Sequence, residues 1–190
     1  MAIVLQKGQR IDLTKDNPSL VKAMIGLGWD ENEFDSPFEF DLDASAFLLN
    51  AQGKCRKDAD FVFYNNLSVP GVTHTGDNRT GDSDGDDEQI IVDFSQIPSD
   101  VDKIAFTVTI HDADDRRQNF GQVHNAYVRL VDAHTDQEIL RFQLGEDFSV
   151  ETSVVFCELY RHNGDWKFNA VGAGYSGGLA ALVRAYGLSV

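Results

Sequence analysis

Residues 60–94 read DFVFYNNLSVPGVTHTGDNRTGDSDGDDEQIIVDF. The ends, DFVFYNN and QIIVDF, are aromatic and β-branched runs of strand length, so the acidic middle is a loop held between strands. Residues 77–88 of that loop carry six carboxylates against one arginine and are broken by Gly81 and Gly85. Carboxylates about 5 Å apart repel by roughly 3 kcal/mol at a near-surface dielectric, so they must spread into water, take up protons or hold a cation. Glycines let the backbone bring carbonyl and carboxylate oxygens around one point, and Ca2+ takes such oxygens. A calcium loop is the first expectation, with a solvated acidic loop as its plain competitor.

The segment is no EF-hand. Counted from Asp77, Glu88 falls at position twelve, but Arg79 stands at position three and Asp82 at six, where a glycine is required. Counted from Asp82, Asp87 replaces that glycine and Asp93 the glutamate. The flanks are also strands where that motif has helices, which points the whole chain toward β architecture.

The rest of the chain agrees. AIVLQ, RIDLT, LVKAMIGLGW, FDLDASAFLL, KIAFTVTIH, AYVRLVD, EILRFQL, SVVFCELY and WKFNAV join the two runs above as strand candidates, separated by turn signals such as Lys7-Gly8, Pro70-Gly71 and Asn163-Gly164. GGLAALVRAYG, 177–187, reads as a helix, with Leu179, Leu182 and Val183 on one side and Gly187 as its stop. Segment 13–24 is ambiguous after Pro18. Many strands with one terminal helix predict a mainly β fold, a two-sheet antiparallel β-sandwich with a short C-terminal helix, in a single domain over 1–190.

A net charge of -15, with 16 Lys and Arg among 190 residues, disfavours a nucleic-acid surface. Cys55 and Cys157 form no CxxC pair and are expected reduced and structural. MAIVLQKGQRIDL has no basic region followed by a long apolar stretch, so a cytoplasmic location is expected.

Two enzyme spellings fail. Gly172, Gly174 and Gly177 spell GxGxxG, but only thirteen residues follow Gly177 and none is acidic. Ser176 sits in GxSxG without a later acid or histidine. Among five histidines none has metal-site spacing, although His111 could join Asp112 or Asp114. Asp41 and Asp43, two apart on a strand, point to one face and read as a second contribution to the cation cluster.

KGQRIDL, GLGWD, FDLDASAFLL, DFVFYNNL, HTGDNRTGDSDGDDE, IAFTVTIHDA, NFGQVHNAYVR, ELYRHNGDWKFNAVGAGY and GGLAAL follow one another as in the TerD family of tellurite-resistance and stress-response proteins, which the chain resembles from about residue 3 to 190. The resemblance implies a sandwich like that of C2 modules, calcium at acidic loops, a cytoplasmic place in bacterial chemical-stress systems, and no established catalysis. Carried over, the acidic motifs fall on Asp41 and Asp43, on Asp77 and Asn78, and on Asp82, Asp84, Asp86, Asp87 and Glu88. Two acid clusters on one loop suggest two Ca2+ ions. Thr80, the carbonyls of Arg79 and Gly81, and Asn65 or Asn66 are weaker candidates.

The expected function is therefore a calcium-binding, non-enzymatic module whose ordered loops present a surface to other stress-response (Ter-system) proteins, in a complex that could be membrane-associated. Two alternatives use the same acids: a Mg2+- or Mn2+-dependent hydrolase, and a calcium-dependent membrane-docking module.

Overall fold

The structure, a computed structural model, describes residues 2–30, 40–76, 85–145 and 148–189. Among these residues thirteen strands are formed: β1 (Ile3–Leu5), β2 (Arg10–Asp12), β3 (Lys22–Asp30), β4 (Leu42–Leu49), β5 (Phe61–Val62), β6 (Ser68–Val69), β7 (Val72–His74), β8 (Glu88–Asp93), β9 (Lys103–Ile110), β10 (His124–Asp132), β11 (Gln137–Gln143), β12 (Ser153–His162) and β13 (Asp165–Tyr175). Two helices accompany them, α1 (Ala113–Arg116) and α2 (Gly178–Ala185).

The strands make two facing sheets. One runs β1-β11-β10-β3-β8-β7-β6 and the other β2-β13-β12-β9-β4-β5. The pairings are antiparallel except for β1, which lies parallel to β11. The expected sandwich with a C-terminal helix is thus the observed fold. Residues 13–20, left ambiguous by sequence, form turns before β3. Strands β6 and β7, each too short to show a period, flank the expected Pro70-Gly71 turn.

Strand alternation builds the core. Ile25 and Leu27 of β3, Ile90 and Val92 of β8, and Val128 and Leu130 of β10 point inward from one sheet to meet Leu42, Ala46, Phe106, Val108 and Phe168 from the other. All eight residues of β4 are buried. Its second face is covered too: Phe47 and Leu49 pack with Phe61, Ala105 and Val155 beneath Leu182 and Val183 of α2. The helix spacing read from sequence therefore has a target, the outer face of the six-stranded sheet.

Helix α2 ends where predicted. Gly187 has φ +86° and donates to the Arg184 carbonyl at 3.0 Å, while Leu188 donates to Val183, also at 3.0 Å. This is the two-bond glycine stop that satisfies the last helical carbonyls. Gly187→Ala is expected to cost about 1 kcal/mol in urea unfolding, since alanine is strained at that φ. The β12–β13 hairpin closes through Asn163 (φ 54°) and Gly164 (φ 87°) between the paired His162 and Asp165, the mirror-image turn that Asn-Gly favours.

The spellings rejected as enzyme motifs are structural. Gly172 and Gly174 lie in β13, and Gly177 (φ 95°) turns the chain into α2.

Candidate metal site

Asp41, Asp43, Asp87 and Glu88 lie toward the end of the sandwich where β3 and β9 finish and β4 and β8 begin. There the chain must carry charged side chains on strands otherwise built for burial. Asp41 and Asp43 precede and enter β4 and are only 8% and 7% exposed. His111 donates its backbone N–H to the Asp41 carbonyl at 2.8 Å, extending the β4–β9 ladder, and Asp43 stands opposite Thr109. This pairing places the His111 ring against Asp43, with Nδ1 3.4 Å from Asp43 Oδ2, and Nε2 lies 3.4 Å from Asp112 Oδ2. Arg116 of α1 approaches Asp41 Oδ2 at 4.0 Å. Asp41 Oδ1 is buried with no hydrogen-bond partner among the described residues.

Asp43 also lines a cleft of about 430 Å³ between the end of β9, α1 and the first turn of α2, together with His111, Asp112, Asp114, Thr152 and Gly178. Carboxylates dominate its charged lining.

Asp87 and Glu88 enter from the facing sheet. Asp87 donates its N–H to the Leu27 carbonyl at 2.8 Å and accepts from the Trp29 N–H on Oδ2 at 2.9 Å. Glu88 Oε2 accepts the Ala44 N–H at 2.6 Å. β5 pairs with β4 only at Ala46 and Phe47, so Ala44 lies beyond that pairing and its N–H turns to the carboxylate. His74 Nδ1 accepts from the Gly76 N–H at 3.1 Å, which leaves Nε2 to face Glu88 Oε2 at 3.3 Å. Glu88 is thus a bracket between the sheets.

Asp86 goes elsewhere. Expected among the ligands, it turns to the outer face of the seven-stranded sheet, where its side chain is 0% exposed. Arg129 Nε donates to Oδ1 at 2.7 Å and Nη2 to Oδ2 at 2.8 Å, a fork on a carboxylate. Gln89 Nε2 lies 3.3 Å from Oδ2. The Tyr127 hydroxyl lies 2.9 Å from the Gly85 carbonyl oxygen and 3.1 Å from Asp86 Oδ1. The hydrogen bond to Asp86 raises the Arg129 pKa, and burial, followed by the Asp86 charge, pushes the Tyr127 hydroxyl up to about 12. Room for both side chains comes from β3: a Cβ on Gly26 would overlap the Asp86 carboxylate, and one on Gly28 would come within 2.5 Å of the Tyr127 ring. The Arg141 guanidinium stacks 4.3 Å above that ring.

Asp77, Asn78, Asp82 and Asp84, with Arg79, Thr80 and Gly81, lie outside the described residues. Among the described residues no group of three His, Cys, Asp or Glu side chains is placed to hold a metal ion. Asn66 is turned into its own loop, donating to the Phe61 carbonyl at 2.6 Å. Burial, ahead of the Asp60 charge, pushes the Cys55 thiol up to about 12, and burial raises Cys157 as well, so both are poor nucleophiles. Among the described residues no helix is long and apolar enough to cross a membrane.

The TerD domain pattern matches residues 1–186. The chain belongs to the TerD family. A "General stress protein 16U" of Bacillus subtilis is 55% identical to this TerD chain, and an "Uncharacterized protein YceE" of the same organism is 69% identical, each with both chains covered in full. A "Tellurium resistance protein TerD" of Serratia marcescens is 55% identical, covering 100% of this chain and 99% of its own. In three dimensions the TerD sandwich matches a solved homologue of telluride resistance protein (TerD) from Streptomyces coelicolor A3(2), with TM-score 0.68 and 20% identity over 90% of this chain and 99% of that one.

Proposed function

We propose that this TerD domain is a calcium-binding, non-enzymatic module of a bacterial tellurium-resistance and chemical-stress system, acting in the cytoplasm by presenting metal-ordered acidic loops to other proteins of that system. The relatives named for tellurium resistance and general stress support the setting. The observation that carries the metal reading is Asp41 Oδ1, a carboxylate oxygen buried at the head of β4 with no hydrogen-bond partner among the described residues. Such an oxygen is costly to bury unless something positive meets it.

The donor atoms are of the kind that a hard cation takes. Asp41 and Asp43 offer carboxylate oxygens at one strand entrance, Asp87 and Glu88 stand at the base of the acidic segment, and the sequence of 77–84 adds Asp77, Asn78, Asp82 and Asp84. Bound calcium would supply the positive charge that offsets carboxylate repulsion, and two ions would offset about four charges. The chain's own part is to hold those oxygens on rigid strands. His111 bears on Asp43 and Arg116 on Asp41, each contributing a positive or polar neighbour to the acids.

Thermal melting with saturating calcium and with chelator tests this reading. A ligand at a hundredfold its Kd adds about 2.7 kcal/mol, so the midpoint should rise by several degrees. Asp41→Asn should remove most of that rise. An identical midpoint in calcium and chelator would overturn the proposal.

A further inference from the structure

We infer that Asp86, although it belongs to the acidic segment, is no metal ligand but a positioning residue: Arg129 and Tyr127 clamp it and Gly85 to the sheet so that Asp87 and Glu88 are set before any ion arrives. The inference rests on the calcium reading above and assigns the acids within it.

Lone pairs set the limit. An ionised carboxylate has about four acceptor sites; Arg129 Nε at 2.7 Å, Arg129 Nη2 at 2.8 Å and Gln89 Nε2 at 3.3 Å fill three, and the single Tyr127 O–H is shared between Asp86 Oδ1 at 3.1 Å and the Gly85 carbonyl at 2.9 Å. Its charge is met by a guanidinium and its side chain is shut from solvent. An oxygen so engaged would have to surrender the fork to bind a cation, leaving Arg129 facing a vacated site next to the metal.

The same contacts fix the backbone. Tyr127 reaches the Gly85 carbonyl, Arg129 holds Asp86, and the Leu27 carbonyl accepts the Asp87 N–H at 2.8 Å, so three successive residues are pinned by β3 and β10. Asp86 points outward and Glu88, two residues on, points inward, so the chain bends between them at Asp87, which accepts from the Trp29 N–H. Glu88 then begins β8 and reaches Ala44 across the sandwich. None of these anchors requires metal. A stem set in advance lowers the ordering cost that binding must otherwise meet.

Calcium titration calorimetry and metal-free amide hydrogen exchange, run on wild type, Asp86→Asn and Asp41→Asn, test the assignment. Asp86→Asn should keep the wild-type number of ions, weaken affinity about tenfold, and speed exchange of the Asp87 amide. Asp41→Asn should lose bound calcium while leaving that amide as protected as in wild type. Loss of an ion in Asp86→Asn with unchanged exchange would make Asp86 a ligand and overturn the inference. Unchanged affinity with unchanged exchange would overturn it equally. If wild type binds no calcium, the calcium reading fails, and the exchange arm still decides whether the clamp exists. Should Asp86→Asn not fold, Tyr127→Phe removes only the hydroxyl grip, and should show the same faster Asp87 exchange with ion number intact.

Discussion

Phe47→Ala is expected to lower the unfolding free energy by about 3–5 kcal/mol. The side chain is fully buried, its ring stacked 4.5 Å from Phe61 and tilted 4.6 Å from Tyr186. It is the point where β4, β5 and α2 meet, so truncation both opens a cavity and removes aromatic contacts. For a chain of this size that loss lowers the melting midpoint by about 10 °C. The effect should extend to the metal site, because the first turn of α2 borders the cleft lined by Asp43, and Gly178 donates to Thr152 there at 2.9 Å. Chemical unfolding followed by limited proteolysis measures both: α2 should be cut first. A loss below about 1 kcal/mol would mean that α2 collapses onto the gap and contributes little as a cover.

The two faces of β4 show what sequence could and could not give. Asp41 and Asp43 are legible as a same-side pair because strand period two is local. The burial of β4 on both faces is not, since it depends on α2, which returns from more than 120 residues downstream to cover Phe47. The same distinction holds at the site. Asp87 and Glu88 were readable as acids at a strand start, and both are found there. His111 was readable beside Asp112 and Asp114, and it does lie near Asp112, but its approach to Asp43 comes from the pairing of β9 with β4. Helix α1 spans four residues between Asp112 (φ 50°) and Arg117 (φ 55°), left-handed at both ends and too short for any periodicity. The turning of Asp86 to Arg129 joins residues 43 apart across a strand that separates them. One signal was present: glycines at 26 and 28, two apart inside a strand, mark a place where something lies close upon the sheet.

Gly26→Ala is accordingly expected to cost about 3 kcal/mol, far more than a glycine-to-alanine change on an open strand. The new methyl would occupy the space of the Asp86 carboxylate, which has no solvent to retreat into along its present path. Displacing it breaks the fork with Arg129 and releases the hydrogen bonds from Gln89 and Tyr127 together. Arg129→Met should cost a similar amount by the converse route, leaving a buried carboxylate without its cation. Because both changes destroy one interaction, the double variant should fall well short of the sum, by about 2 kcal/mol in a double-mutant cycle from urea unfolding. Additive losses would show that Gly26 serves the sheet independently of Asp86. The coupling therefore decides whether this strand glycine exists to seat the carboxylate that pins the stem of the acidic segment.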